Sequence, residues 1–234
     1  MTLESFFYAY LWGMVILGVG IFITLQFITP AYGMTYNNRW GASISSRWGW
    51  LIMETPVFVI MLIIYLNSLL TGVKPFNIVT FIFLLIFQTH YLQRSFIFPA
   101  LMKGQSRMPL SIMFAGIFFN ASNAFIQGGW LFMFAPANAY PISWFWSPQF
   151  IIGCVLFFIG MVINIKSDRI IRKLRKSRDD NNYYLPQGFL FKYINSSNYF
   201  GEIIEWIGFA ILTWSIPGLV FVIWSIANIL PRSK

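Results

Sequence analysis

The sequence is poor in the residues on which much enzyme chemistry relies. Its 234 residues include one cysteine, Cys154, and one histidine, His90. A single cysteine can form no intrachain disulfide, and one His with one Cys falls short of the usual ligand set for zinc or haem. Charge is scarce too: Asp, Glu, Lys and Arg make up 10% of the chain, and only 7 residues are acidic. No phosphate-cradling GxxxxGK[ST] loop occurs. Gly18-Val19-Gly20 lies inside a long apolar run rather than at a strand-to-helix turn, so it is no dinucleotide fingerprint. The order of residues supports no Ser-His-Asp triad. There is no fixed-period repeat, and no long polar linker that would divide the chain into domains.

What the sequence has is apolar length. Hydrophobic residues make up 58% and aromatics 20%, with a mean hydropathy of +0.67. Soluble domains do not reach these values, and a polytopic membrane protein does. A spanning helix needs about 20 apolar residues. Such runs occur at 6–28, 50–70, 76–98, 110–134 and 150–175. The first is too long for a signal-peptide core and lacks a basic front end. The run at 199–230 is interrupted by Pro217-Gly218, so it forms one kinked helix or two short ones. Charge decides between them. With the amino terminus outside and seven helices, 15 of the 16 Lys and Arg fall on the cytoplasmic side, leaving only Lys74 outside. Six helices would put Arg232 and Lys234 outside, against the positive-inside rule. Topology thus accounts for most of the net charge of +9 without nucleic acid as a partner. The expectation is an all-α polytopic membrane protein with seven transmembrane helices, N-terminus outside and C-terminus cytoplasmic. It is a single domain over 1–234 and a monomer among membrane lipids, in a bacterial inner membrane or the endoplasmic reticulum.

Polar residues inside such spans need partners or a cavity. The segment 150–176 is the organising one. It begins uncharged and then carries Asn164, Asp168, Arg172 and Arg175 at spacings of four, four and three, so the spacing predicts one face of a continuing helix. That stripe of amide, carboxylate and guanidinium groups is suited to a phosphate-bearing cofactor at the membrane surface. Glu54 precedes Pro56, and either pairs with Arg47 near the interface or faces a buried cavity. Gln88, His90, Tyr91 and Arg94 cluster at the end of the third run; Tyr91 is either a belt residue or part of this polar group. Asn120, Asn123 and Gln127 share a face and serve as interhelical glue or as a pocket lining. Asn198, Glu202 and Glu205 stand on adjacent turns, and the two acids need a cation between them. The arginines of the stripe are the candidates. The sequons at Asn120 and Asn195 fall in a helix and on the cytoplasmic side, so neither points to glycosylation.

Four strings then carry a resemblance. They are His90-Tyr91-x-x-Arg94; Asn164-Ile165-x-Ser167-Asp168 followed by Leu174-Arg175; Tyr183-x-x-Pro186-Gln187-Gly188-x-Leu190-Phe191; and Asn198-Tyr199-x-Gly201-Glu202-x-x-Glu205-Trp206-x-Gly208-Phe209-Ala210. In this order the chain resembles the steroid 5α-reductase family from about Glu54 to Leu230. The resemblance implies NADPH-dependent reduction of the 4,5 double bond of 3-oxo-4-ene steroids. It implies Glu54 and Tyr91 as catalytic residues that polarise the C3 ketone; Trp50 and, from the amide face, Asn123 and Gln127 are expected to line the substrate beside them. It implies cofactor contacts from Arg94, Arg107, Asn164, Asp168, Arg172, Arg175, Tyr183, Asn198 and Glu202, and no metal. Arginines near the adenosine ribose favour the 2′-phosphate of NADPH. Two departures stand out: Tyr184 occupies a position where the family often has Arg, and the family's cytoplasmic C-terminal tail would begin where this chain stops. The rival readings are reduction of another enone lipid, such as an enoyl-CoA or a polyprenal, a membrane S-adenosylmethionine-dependent methyltransferase, and a channel or transporter. The last is disfavoured by the absence of repeat symmetry.

Overall fold

The structure, a computed structural model, describes residues 2–30, 33–177 and 179–233. Arg178 and Lys234, both counted above as cytoplasmic charges, lie outside the described residues. Eight α-helices are described. Helix α1 (Leu3–Phe27) starts at Thr2, whose hydroxyl accepts from the Ser5 N–H. Helix α2 (Ser46–Leu70) carries Pro56 inside it. Helix α3 (Ile78–Tyr91) begins two residues later than the apolar run suggests, because the Asn77 side chain accepts from the N–H groups of Val79 and Thr80 and caps it there. The sequence predicts a uniform helix over 76–98. Instead α3 passes into a widened i→i+5 turn, Leu92–Ile97, and then a short α4 (Phe98–Leu101). Neither Gly nor Pro marks the widened turn in the sequence.

Helix α5 (Leu110–Gly129) also ends in a widened turn, Trp130–Phe134, and together they fill the predicted 110–134. Helix α6 (Pro148–Leu174) is capped by the Ser147 hydroxyl, which accepts from Phe150 N–H. The last apolar run forms two helices, α7 (Ser197–Thr213) and α8 (Ile216–Ile229). They part at Trp214 and Ser215 rather than at Pro217-Gly218. Trp214 adopts a left-handed φ of 45°, and the Ser215 hydroxyl accepts from Gly218 N–H at 3.1 Å. Pro217 sits in the first turn of α8, where its missing N–H removes no helical bond. The all-α expectation needs one amendment. Strands β1 (Ser43–Ser45) and β2 (Arg107–Pro109) pair antiparallel, with Ile44 opposite Met108.

Four helical stretches are long and apolar enough to cross a membrane: Leu3–Phe27, Ser46–Leu70, Leu110–Phe134 and Pro148–Leu174. The connections gather at two ends. At one, β1 meets β2, and Gln105 donates twice across to the next loop: its N–H to Asn181 Oδ1 at 2.7 Å and its side-chain amide to Asp179 Oδ1 at 2.9 Å. At the other, the Asn77 amide donates to the Tyr140 carbonyl (3.0 Å), the Tyr140 hydroxyl to Thr213 O (2.7 Å), and the Trp144 indole to Leu212 O (3.0 Å).

Helices α6 and α7 lie backbone to backbone along paired glycines. A methyl group built on Gly160 would sit 2.4 Å from Glu205 N and 2.6 Å from Gly201 O. One on Gly153 would sit 2.4 Å from Leu212 N and 2.7 Å from Gly208 O. These neighbours are main-chain atoms and cannot turn aside. Without a hydrophobic drive between helices in lipid, such close approach is what holds the pair. Gly160→Ala is therefore expected to destabilise the protein by about 3 kcal/mol, in the upper range for overpacking. That corresponds to roughly 6–12 °C in melting temperature for a chain of this size, read in detergent. Gly13→Ala is the control: nothing lies within 4 Å of the added methyl there.

Candidate active site

The widened turn after α3 sets out the site. Tyr91, at the end of α3, is 2% exposed, and its hydroxyl oxygen accepts a hydrogen bond from the Asn123 amide of α5 at 2.8 Å. Since Asn123 fills an acceptor position on that oxygen, the hydroxyl hydrogen remains to be given elsewhere. Glu54 comes from α2. The carbonyls at this point of α2 are held from neighbouring elements: Asn120 Nδ2 donates to Met53 O (2.9 Å) and Ser95 Oγ to Glu54 O (2.9 Å). Arg47 is not the partner of Glu54, as its guanidinium donates to Met102 O at 2.8 Å. Glu54 instead faces a cavity.

That cavity has a volume of about 540 Å³, within the range of small-molecule sites. Leu17 and Ile21 of α1, Ile112 and Phe118 of α5 and Trp224 of α8 give it an apolar side. Glu54, His90, Tyr91, Arg94, Asn120 and Glu202 give it a polar one. Trp50 also lines it, and lies under the Arg94 guanidinium, whose central carbon is 4.5 Å from the Trp50 ring and 4.7 Å from the Phe98 ring. Arg94 is buried and faces two carboxylates, Asp168 Oδ2 at 3.5 Å and Glu202 Oε2 at 3.6 Å.

The α6–α7 seam lies behind Arg94 and Glu202 of that polar side. Asn164 Nδ2 donates to Asn198 O at 3.0 Å and lies 3.5 Å from Glu202 Oε2. Asn198 Nδ2 donates to Asp168 Oδ1 at 3.2 Å. Asp168 Oδ2 is buried and makes no hydrogen bond. The structure thus brings Arg94, Asn164, Asp168, Asn198 and Glu202 together, and sets Trp50, Glu54 and Tyr91 around the adjoining space.

Other candidates lie elsewhere. Gln127 is buried against α8, donating to Pro217 O at 2.9 Å, and joins helices rather than lining the cavity. Asn123 stands behind Tyr91 rather than on the cavity wall. The predicted stripe does not continue to its end. Helix α6 stops at Leu174, and Arg175 takes up extended backbone. Its guanidinium turns to the carbonyls of Lys103 and Asn182 (3.3 Å to the latter) and lies 5.0 Å from the Tyr183 ring. Arg172, one turn beyond Asp168, is half-buried. Arg107 belongs to β2 and binds Ser43, with Nε donating to Oγ at 2.8 Å and an Nη to the carbonyl at 2.6 Å. Tyr184 donates to Asp180 at 3.1 Å. Hydrogen bonds, first from Lys176 N–H, hold the Asp180 carboxyl below its usual range.

The stripe arginines are not the partners of the α7 acids. Glu202 faces Arg94, and Glu205, fully buried, accepts from or shares a proton with His90 Nδ1 at 2.8 Å. This His90–Glu205 pair is the part of the site that the sequence reading did not assemble. The available signal was the chain's only histidine inside an apolar run, a group that needs a partner when buried.

Comparison with known proteins bears on this arrangement. A family profile described as 3-oxo-5-alpha-steroid 4-dehydrogenase matches residues 106–234. The chain is 35% identical over 213 residues to 3-oxo-5-alpha-steroid 4-dehydrogenase 1 of Rattus norvegicus, covering 91% of this chain and 80% of the relative. It is 33% identical over 234 residues to steroid 5-alpha-reductase DET2 of Solanum lycopersicum, covering 98% and 88%. To the Homo sapiens 3-oxo-5-alpha-steroid 4-dehydrogenase 1 it is 33% identical, covering 93% and 82%.

Proposed function

This chain belongs to the 3-oxo-5-alpha-steroid 4-dehydrogenase family, oxidoreductases acting on CH–CH bonds, and on that premise we propose that it reduces the 4,5 double bond of 3-oxo-4-ene steroids. The observation that carries the reading is the Tyr91 hydroxyl on the wall of a largely apolar cavity, with Asn123 bonded behind it and Glu54 on the same wall. A flat, oily ketone suits the apolar side, and the polar side meets its oxygen. Tyr91 donates to the C3 oxygen, aided by Glu54, and so stabilises the enolate that forms when C5 is reduced. Asn123 acts as a positioning residue that keeps the Tyr91 hydrogen aimed at the cavity.

NADPH is the proposed cofactor, and when bound it supplies a hydride. The residues present fit it in two parts. Asp168 Oδ2, buried and without a hydrogen bond, sits with Asn164, Asn198 and Glu202 as acceptors suited to ribose hydroxyl and carboxamide donors. The basic groups Arg107, Arg172 and Arg175, with Tyr183, are suited to the phosphates. Arg175 would exchange its carbonyl partners for a phosphate to do so. Asp168 and Glu202 hold Arg94 between them.

The two groups of connections support the full topology. We read α3 with its widened turn and α4, α7, and α8 as three further spans, making seven. The basic loops lie on the cytoplasmic side and Lys74 on the other. The protein is then a multi-pass monomer in lipid, drawing its substrate from the same bilayer.

Native mass spectrometry of the detergent-purified protein, incubated with equimolar NADPH and NADH, tests the cofactor. The expected result is a retained mass of NADP(H), lost in Asp168→Ala and reduced in Arg175→Ala. Retention of S-adenosylmethionine in place of a nicotinamide would favour methyl transfer instead.

A further inference from the structure

Polarising the ketone leaves half of the reduction unexplained. Once C5 has gained its hydride, C4 must gain a proton, and Tyr91 serves the oxygen. His90 precedes Tyr91 in the chain, lines the same cavity, and its ring centre lies 4.8 Å from that of Tyr91 in an edge-on contact. A carbonyl oxygen and its α-carbon are also neighbours. Two proton-bearing side chains held side by side match them.

The surroundings of His90 fix which nitrogen is available. Nδ1 is bound to Glu205 Oε1 at 2.8 Å, so Nε2 is the nitrogen left for the cavity. A carboxylate at one ring nitrogen fixes the tautomer and orientation of the other. The Trp206 ring packs on His90 at 4.5 Å between centres, and locks the imidazole plane. Glu205 is 0% exposed, with its second oxygen buried and without a hydrogen bond. An imidazolium beside a carboxylate is neutral as a pair, the form in which such groups tolerate burial. The pair therefore holds one transferable proton at the cavity wall.

Resting on the steroid reading above, we propose that His90, held by Glu205, donates the proton that C4 receives. The enone takes a hydride at C5 from the reduced nicotinamide, and the C4–C5 π electrons move to give the enolate. The enolate electron pair then forms the C4–H bond as the His90 Nε2–H bond breaks. The C3 carbonyl is restored and the imidazole is left neutral beside Glu205. A proton from solvent then returns the imidazole to its charged form.

The test uses the full-length protein in detergent, with a 3-oxo-4-ene steroid and NADPH in D₂O. The unaltered enzyme should place deuterium on one face of C4, read by NMR of the product. His90→Gln should scatter deuterium over both faces and lower kcat at least tenfold, with steroid affinity of the cofactor-free protein within about threefold of normal. Glu205→Gln, which keeps the shape and a hydrogen bond to Nδ1, should fall between the two and serves should His90→Gln not fold. Single-faced deuteration surviving in a folded variant with undiminished kcat would overturn the role of His90 alone. An unaltered enzyme that does not turn over the steroid would overturn the functional reading, and this role with it.

Discussion

Tyr91→Phe is expected to lower kcat for steroid reduction by about 10³-fold while leaving steroid binding nearly intact. The substitution removes one oxygen, and with it the donor proposed for the C3 oxygen. Removing a single donor to a developing oxyanion in a water-poor site typically lowers kcat 10²–10³-fold. The upper end applies here because the hydroxyl is almost fully buried and its geometry is set by Asn123. The ring itself packs at 4.7 Å from Phe87 and 5.7 Å from Trp206 between centres, contacts that Phe retains. The loss should therefore appear in kcat rather than in steroid affinity or melting temperature. Asn123→Leu should give a smaller loss of the same kind, since it frees the hydroxyl to rotate. A Tyr91→Phe enzyme with normal kcat would remove the proposed chemistry.

Arg94→Ala is the second large effect, and it falls on folding as well as on cofactor binding. Arg94 is the cation that faces both Asp168 and Glu202, and its plane is clasped by Trp50 and Phe98. Truncating it leaves two carboxylates in a buried site with no facing guanidinium. Breaking a buried pair in this way costs about 3–5 kcal/mol, or roughly 6–20 °C in melting temperature for a chain of this length. Arg94→Lys should recover only part of this, because an ammonium neither stacks between two rings nor reaches both acids in a planar fork. The double variant Asp168→Asn with Arg94→Ala should be more stable than Arg94→Ala alone, which distinguishes stranded charge from lost packing. Each is readable by thermal melting in detergent, and only the stability, not the retention of NADPH, should recover in the double variant, because Asp168 is itself a proposed cofactor contact.

Much of the architecture was legible because lipid leaves few choices. Long apolar runs at 110–134 and 150–175 correspond closely to α5 with its widened turn and to α6, since the hydrophobic length sets the helix length. The local caps were harder to read. Asn77 delays α3, and Trp214 in a left-handed conformation ends α7 where the proline-glycine pair had drawn attention. Spacing along one helix put Asn164 and Asp168 on a common face, and that face does point at Asn198 and Glu202. Spacing said nothing of where the helix would stop, and so Arg175 left the stripe. The partner of Glu205 was out of reach for a similar reason. His90 lies 115 residues away in the chain, and only the folded packing of α3 on α7 makes them neighbours.

The widened turn Leu92–Ile97 holds one residue more per turn than a regular helix. Whatever follows it is set round by about 100° relative to an unbroken helix. Tyr91 looks toward α5 while Arg94, three residues on, looks toward α6 and α7, and this divergence is a matter of phase rather than of residue identity. A related chain that dropped a single residue between Tyr91 and Arg94 would keep both side chains and yet turn the arginine away from Asp168 and Glu202. In this stretch, counting residues tells more about descent of the activity than matching them.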